Sequence, residues 1–588
     1  MTGFQVARIE FSKQAVAKWR YQDGQYWNWP FVHILSNKKS SGQKASTSGV
    51  REIYVGETLN AVGRMRQHLE SPAKQHLTNA GIIFSKTFNK SVCLDLKSYL
   101  IRMIAGDGAN KMLNRNNGIT DAQYYQRAAY RAGFQAIFDN LKSDGVFTRT
   151  VPEIENSSLF KLSPYKGLTE DQALAVEDIL DKYFLDLSTG GANRTLLVDI
   201  QAPSSLENLN SDSRFSEFFT KTNKDLLQGS RFGLVVPQQS LRATIKDVFK
   251  KMQGLSSVLV KSPFDVGKDE DIFDLLIVDE THRLNQRANQ PSGVLNKDFK
   301  DITEELFSSN DLSKTQLDWI VAKSRHQIFL LDAMQSVKPA DLPREILSSL
   351  FADTRAIGRL FQLRTQMRVQ AGSDYVAYIR WILDPSPHSV PRARMTFGEY
   401  DMRMFDNIGE MHNAIIRCDE EVGLSRLVAG FAWAWKSKHD KTEYDIEIED
   451  THLRWNSTTT TDWVSSRNAV REVGSIHTVQ GYDLNYVGVI IGPDLRFDLH
   501  RRRLYIDRES YADKKGMENN RLLGKNCTDD DLLRFITQIY AVLMTRGIRG
   551  TYVYACNPGL REYLSDFIPS SSGHPVNSAL NPDDHMVL

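Results

Sequence analysis

Two carboxylates close an apolar run in FDLLIVDETHRL (273–284): Asp279 and Glu280, with His282 two residues further on. In nucleotide hydrolysis a strand-end Asp holds magnesium through water and an adjoining Glu polarises the attacking water. A buried strand has little reason to end in two carboxylates for stability alone. Asp279 is therefore the expected metal ligand and Glu280 the expected catalytic carboxylate. HQIFLLDAMQS places Asp332 and Gln335 at a second strand end, where a glutamine can sense a terminal phosphate. RTQMRVQ supplies Arg368, and VLMTRGIRG (542–550) supplies Arg546 and Arg549, guanidinium groups able to reach a phosphate across a cleft. Gln172, in the LTEDQ that opens an amphipathic helix, has the amide needed to read adenine by two hydrogen bonds. A plain helix-surface glutamine is the alternative.

A second constellation lies near the start. REIYVGE (51–57) carries Tyr54, and the helix that follows carries Arg64 and His68, which share a face at i, i+4 spacing. A tyrosine, an arginine and a histidine on a basic surface suit phosphodiester chemistry. The arginine neutralises the phosphate, and the tyrosine or histidine manages the proton of attacking water.

The elements that position these residues follow from apolar patterning. RTLLVDI, FGLVVP, FDLLIVDE, HQIFLLD, SRLVAGFAWAW, YVGVIIG and TYVYAC read as strands. Several are continuous rather than alternating runs, as in strands buried on both faces. Helical segments separate them, so parallel sheets of βαβ units are expected. Residues 1–150 instead read strand, polar loop, strand, helix. The Pro/Ser/Gly-rich stretch 151–167 reads as a linker, and the polar segment 434–472 as an insertion.

The chain has 588 residues, 41% hydrophobic and 25% charged, enough for several cores and unlike a disordered or collagenous chain. It contains no apolar run of the roughly 18–20 residues that a membrane span needs. The N terminus has no apolar signal region, so the expected location is cytoplasmic. Four scattered cysteines show no CxxC spacing and indicate neither a zinc site nor a disulfide framework. The net charge of +1 hides an asymmetry. Residues 1–150 hold 21 Lys+Arg against 10 Asp+Glu, leaving 52 against 62 for the rest. A polyanionic partner for the N-terminal part, most simply nucleic acid, is one explanation, and attraction between the two parts of the chain is the other.

Tyr54-Val55-Gly56, Arg64 and His68 resemble the GIY-YIG nuclease signature over about residues 28–135. The resemblance implies a small α+β domain and places the family's asparagine on Asn114. It also implies one divalent metal held by a glutamate on the helix LDLKSYLIRMI. That position carries Lys97, and an ammonium repels a divalent cation instead of binding it. Asp95 and Glu57 are the nearby carboxylates. The first signature tyrosine is replaced by His33.

From 168 to 560 the motif order resembles superfamily 1 helicases. VVPQQSLRATIKDVF, DETHRLNQRANQ and DAMQSVKPADLP resemble more closely the Schlafen-group helicase domain of bacterial proteins. The resemblance implies an α/β chain with two RecA-like parallel-sheet lobes at 168–360 and 361–588. ATP and Mg²⁺ are its implied cofactors and DNA, or RNA, its implied partner, in a setting such as phage defence or DNA repair. The phosphate loop expected after TLLVDI (195–200) is missing. Gln201-Ala202-Pro203-Ser204-Ser205-Leu206-Glu207-Asn208 lacks its glycines, and Glu207 stands where the lysine belongs. Two readings follow: a nuclease coupled to an ATP-driven motor, and a non-catalytic nucleic-acid-binding scaffold with both sites degenerate.

Overall fold

The computed structural model describes residues 3–22, 29–37, 51–72, 74–114, 124–161, 170–189, 195–200, 229–251, 258–332, 335–363, 373–386, 393–456, 463–479 and 482–571. The chain forms two compact units. One is Met1–Gly191 with 205–229 and 247–256, and the other is 192–204, 230–246 and 257–588.

The N-terminal unit is built on five strands: β1 (Phe4–Glu10), β2 (Phe31–Ser36), β3 (Arg51–Thr58), β4 (Asn79–Ser85) and β5 (Asn110–Met112). Their order is β1-β4-β2-β3-β5, antiparallel except for the β3–β5 pair. Alternation decides the two faces. Val32, Ile34, Ile53 and Val55 pack under the helix Lys90–Asp107, while Phe31 and Leu35 pack with Met65 of the helix Ala61–Glu70. That second helix starts at Asn60, whose side chain accepts from Gly63 N at 2.9 Å. The stretch read as a linker departs from expectation. Val151–Glu155 and Ser158–Lys161 are helical, and Ile154 and Phe160 pack into this core, directly over Gly106. Thr150 and Glu153 form a capping box that starts the first of these helices despite its weak periodicity. The helix Glu170–Thr189 also groups with this unit.

The second unit holds two parallel sheets. In the first, β6 (Thr195–Ile200), β7 (Phe232–Val235), β8 (Leu259–Lys261), β9 (Phe273–Val278), β10 (Ser324–Leu331) and β11 (Leu360–Leu363) run in the order β11-β6-β10-β9-β7-β8. The first lobe therefore extends past residue 360, because Leu360–Leu363 pairs with β6. In the second sheet, β12 (Asp401–Met404), β13 (Ser425–Ala429), β16 (Val473–Gly474), β17 (Leu484–Ile491) and β20 (Gly547–Ala555) run β12-β20-β17-β13-β16. Two hairpins complete it: β14 (Ile446–Ile448) with β15 (Thr451–Leu453), inside the expected insertion, and β18 (Leu495–Asp498) with β19 (Arg503–Ile506). The apolar run SRLVAGFAWAW is a strand only to Ala429. At Gly430 the chain passes so close to Tyr540 that a Cβ would stand 2.5 Å from its Oη. No helix among the described residues is long and apolar enough to cross a membrane.

Candidate functional site

β9 lies inside the first sheet, flanked by β10 and β7, so its C-terminal end opens at the middle of the sheet edge. Asp279 N donates to Val235 O at 2.9 Å, which extends the ladder to the first carboxylate. Glu280 then takes a left-handed backbone, φ 49°, and turns the chain out of the strand. His282 Nε2 lies 2.9 Å from a Glu280 carboxylate oxygen. Burial raises the proton affinity of Glu280. Contact with His282 and the charges of Arg283 and Arg546 outweigh it and hold the carboxyl below its ordinary range.

At the end of β10, Gln335 Nε2 and Arg380 each donate to Asp332 Oδ2 at 2.9 Å. Arg546, which is 2% exposed, approaches Gln335 Oε1 at 3.5 Å from the second lobe. Asp332, Gln335 and Arg546 are thus brought together, and Arg380 joins them without having been read from the sequence. Arg549 is not part of this group. It is exposed beside Tyr486, inside β20 but one residue before its buried run begins at Gly550. The 201–208 segment, Arg368 and the side chain of Gln172 lie outside the described residues.

A cleft of about 1180 Å³ opens beside these strand ends. Arg283, Lys338, His477, Phe431, Trp433 and Trp435 line it. Trp435 is 40% exposed, with Lys438 Nζ 5.8 Å from its ring. Arg283 is 7% exposed, and its Nε and one terminal nitrogen find no hydrogen-bond partner among the described residues. Desolvation within the cleft, with the charges of Arg283 and Lys338, lowers the proton affinity of His477, although its side chain reaches solvent. Gln238 Nε2 donates to His477 O at 2.6 Å, and Thr244 and Tyr482 hydroxyls meet at 3.0 Å, tying the lobes together along this cleft. The FAWAW tail past β13 is apolar because it lines the cleft and backs it, with Trp455 Nε1 bonded to Trp433 O at 3.3 Å.

In the N-terminal unit, Tyr54, His68 and His33 converge. Ring centroids are 5.0 Å apart for Tyr54–His68 and 5.3 Å for His33–His68. Arg64 lies exposed one turn before His68 and interacts with the Tyr54 phenol. Lys74, which no sequence signal singled out, sits 3.4 Å above the Tyr54 ring. Asn114 is elsewhere engaged. Its amide accepts from Val55 N at 2.8 Å and donates to Val55 O at 2.7 Å, a clamp on β3. Asp95 faces away and is bound by Tyr124, Arg127 and Arg131. Glu57 is paired with Lys90. Both carboxylates near Lys97 are therefore already neutralised by cations, and the donor set does not fit a divalent metal.

Comparison with known proteins places these observations. The family model of the Schlafen group 3 DNA/RNA helicase domain matches residues 206–557, more than half of the chain. The chain belongs to this Schlafen group 3 family. It is also similar to an uncharacterised Saccharomyces cerevisiae protein, YPL245W, with 26% identity over 377 residues, covering 59% of this chain and 77% of that one. A solved structure, Mss116p bound to ssRNA and AMP-PNP, aligns at 12% identity and a TM-score of 0.31, over 73% of this chain and 77% of the other.

A nucleotide with Mg²⁺ is what a helicase lineage implies. In this Schlafen group 3 chain Asp279 and Glu280 are in place; the sequence after β6 has Leu206 and Glu207 where a phosphate loop carries glycines and a lysine, and these residues lie outside the described ones.

Proposed function

We propose that this protein binds nucleic acid through its helicase-like unit without ATP-driven turnover, and that its N-terminal unit is a GIY-YIG-like domain that holds DNA without metal-dependent cutting. It acts as a scaffold in nucleic-acid processing such as repair or defence. The observation that carries the reading is the cleft. Exposed Trp435 offers a stacking face, and Arg283 holds a desolvated guanidinium, two of whose nitrogens lack partners among the described residues. A buried cation of this kind is costly unless an anion completes it, and aromatic faces with nearby cations suit unpaired bases. Support for the N-terminal reading comes from the antiparallel β2–β3 pair, the helix carrying Arg64 and His68, and the +11 balance of residues 1–150.

The test is fluorescence anisotropy of single-stranded DNA and RNA with the full chain, without nucleotide, across a salt series. Binding should weaken steeply with salt. Trp435→Ala should weaken it by about tenfold, the scale of one stacked base. Unchanged affinity in both Trp435→Ala and Arg283→Ala would refute the cleft as the site. The competing reading, an ATP-driven motor with a nuclease, draws on Asp279-Glu280 and on the assembled Asp332, Gln335 and Arg546. Nucleic-acid-stimulated ATP hydrolysis abolished by Glu280→Gln would establish it instead.

A further inference from the structure

The hairpin of β18 and β19 carries its charge at its tip. Leu499, His500, Arg501, Arg502, Arg503 and Tyr505 are exposed, while Phe497 and Leu504 are buried. The ladder sets this division. Phe497 faces Leu504 and Asp498 faces Arg503, so alternation puts Arg503 and Tyr505 on the outer side and the apolar pair on the inner side. The inner side is anchored. The Phe497 ring stacks on Tyr563 of the helix Pro558–Ser565 at 4.1 Å, and Phe497 N donates to Asn557 Oδ1 at 3.3 Å. The turn is held too. Asp498 is the only acidic residue of 495–506, and its Oδ1 accepts from His500 N at 2.9 Å and Arg501 N at 3.0 Å. Arg502 takes a left-handed backbone, φ 48°, which glycine or asparagine adopts more readily. Elsewhere in this stretch guanidinium groups meet carboxylates: Arg496 pairs with Asp507, Arg508 with Asp529 and Arg534 with Asp531. Among the described residues, Arg502 and Arg503 form no ion pair.

Both feet of the hairpin stand on the cleft wall. Gly492 packs so closely on Ala432 and Trp433 that a Cβ there would lie 2.2 Å from the Ala432 Cβ. Ala512, past β19, donates to Phe431 O at 2.7 Å and itself lines the cleft. At about 3.4 Å per residue, the tip reaches up to roughly 15 Å beyond these feet. We propose that the β18–β19 tip is a second contact for the single strand in the cleft and grips the phosphates of nucleotides that extend past it. The inference rests on the cleft reading above. A planar guanidinium holds a phosphate through two N–H groups, and Tyr505, on the same side as Arg503, offers a ring to an adjoining base. Exposed apolar surface at the tip is confined to Leu499 and Tyr505, less than a lipid or protein seat requires.

The experiment follows the anisotropy of labelled thymidylate strands with the full chain across a salt series. One strand, about 6 nucleotides long, is confined to the cleft; the other, about 20 nucleotides long, extends past it. The tip variant is Arg502→Asn/Arg503→Gln, with asparagine chosen for the left-handed backbone. The control, Arg325→Gln/Arg355→Gln, removes the same charge from exposed positions around the N-terminal ends of β10 and β11. Thermal melts of each variant establish that it is folded. The tip variant should bind the long strand about tenfold or more weakly. Its slope of log affinity against log salt should shrink by about 1.4, two single-strand phosphate contacts at about 0.7 each. The short strand and the control should be unchanged. Equal losses on both strands, an unchanged long strand, or an equal loss in the control would overturn the proposal. Weakening of both strands by Trp435→Ala, with no effect of the tip variant, would leave the cleft standing and remove the tip. Loss of the long strand in the tip variant, with Trp435→Ala and Arg283→Ala both at wild-type affinity, would remove the cleft and with it the path from cleft to tip. A wild type that binds neither strand would refute both.

Discussion

Gly56 stands opposite His33 in the β2–β3 ladder, and a Cβ at Gly56 would lie 2.4 Å from His33 Nε2. The glycine exists to admit the imidazole, since neither residue can move without breaking the pairing. Gly56→Ala should destabilise the N-terminal unit by about 1–3 kcal/mol through overpacking. Denaturant unfolding checks it, and His33→Ala in the same chain should recover much of the loss. An undiminished midpoint in Gly56→Ala would show that the ring has room to shift.

Asn114 makes two hydrogen bonds to the backbone of Val55, both buried. Asn114→Ala leaves a buried N–H and C=O unpaired and should cost roughly 2–4 kcal/mol. Hydrogen exchange at the Val55 amide should accelerate while DNA affinity in the remaining folded fraction stays unchanged. A loss of affinity without a loss of stability would give Asn114 a direct binding role.

Asp494 is 1% exposed and accepts from Tyr540 at 2.7 Å. Burial raises its carboxyl from 3.8 to about 7. The folded state therefore holds an extra proton between those values. The stability this confers is full below about pH 4 and is lost as pH rises through about 7. Asp494→Asn keeps the acceptor for Tyr540 and removes the titration. It should melt higher than wild type at pH 8.5, by on the order of a few kcal/mol, with the difference shrinking toward pH 5. Thermal melts at the two pH values test this, and a pH-independent difference would count against it.

Glu280 is held ionised beside His282, yet the lysine and glycines that would cradle a triphosphate are absent from 201–208. Losing such preorganised donors removes several kcal/mol of charge stabilisation. ATP turnover should therefore lie at background, with Glu280→Gln indistinguishable from wild type in a phosphate-release assay.

Lys97 should likewise prevent magnesium- or manganese-dependent nicking of plasmid DNA. Wild-type cleavage that vanishes in Arg64→Ala would show a working nuclease with a metal ligand other than residue 97, for which Glu57 and Asp95 are the candidates.

Parallel lobes were legible in the chain itself. Runs such as FDLLIVDE and TYVYAC are dominated by apolar residues, and a strand covered on both faces ends near the carboxylates that close such a run. Asp279, Glu280 and Asp332 were thereby placed at strand ends by local chemistry. The same locality put Arg64 and His68 on one helix face, and glycine loss after β6 is visible without coordinates. Contacts between distant segments were decided only by the folded chain. Arg546 meets Gln335 across 211 residues, while Arg549, three positions later, turns to solvent. Arg283 and the FAWAW tail share a cleft, although the tail alone reads as strand. Lys74 reaches His68 only because the chain doubles back after the helix Ala61–Glu70. Periodicity reports which face a residue occupies; which partner meets that face depends on packing and register between elements far apart in sequence.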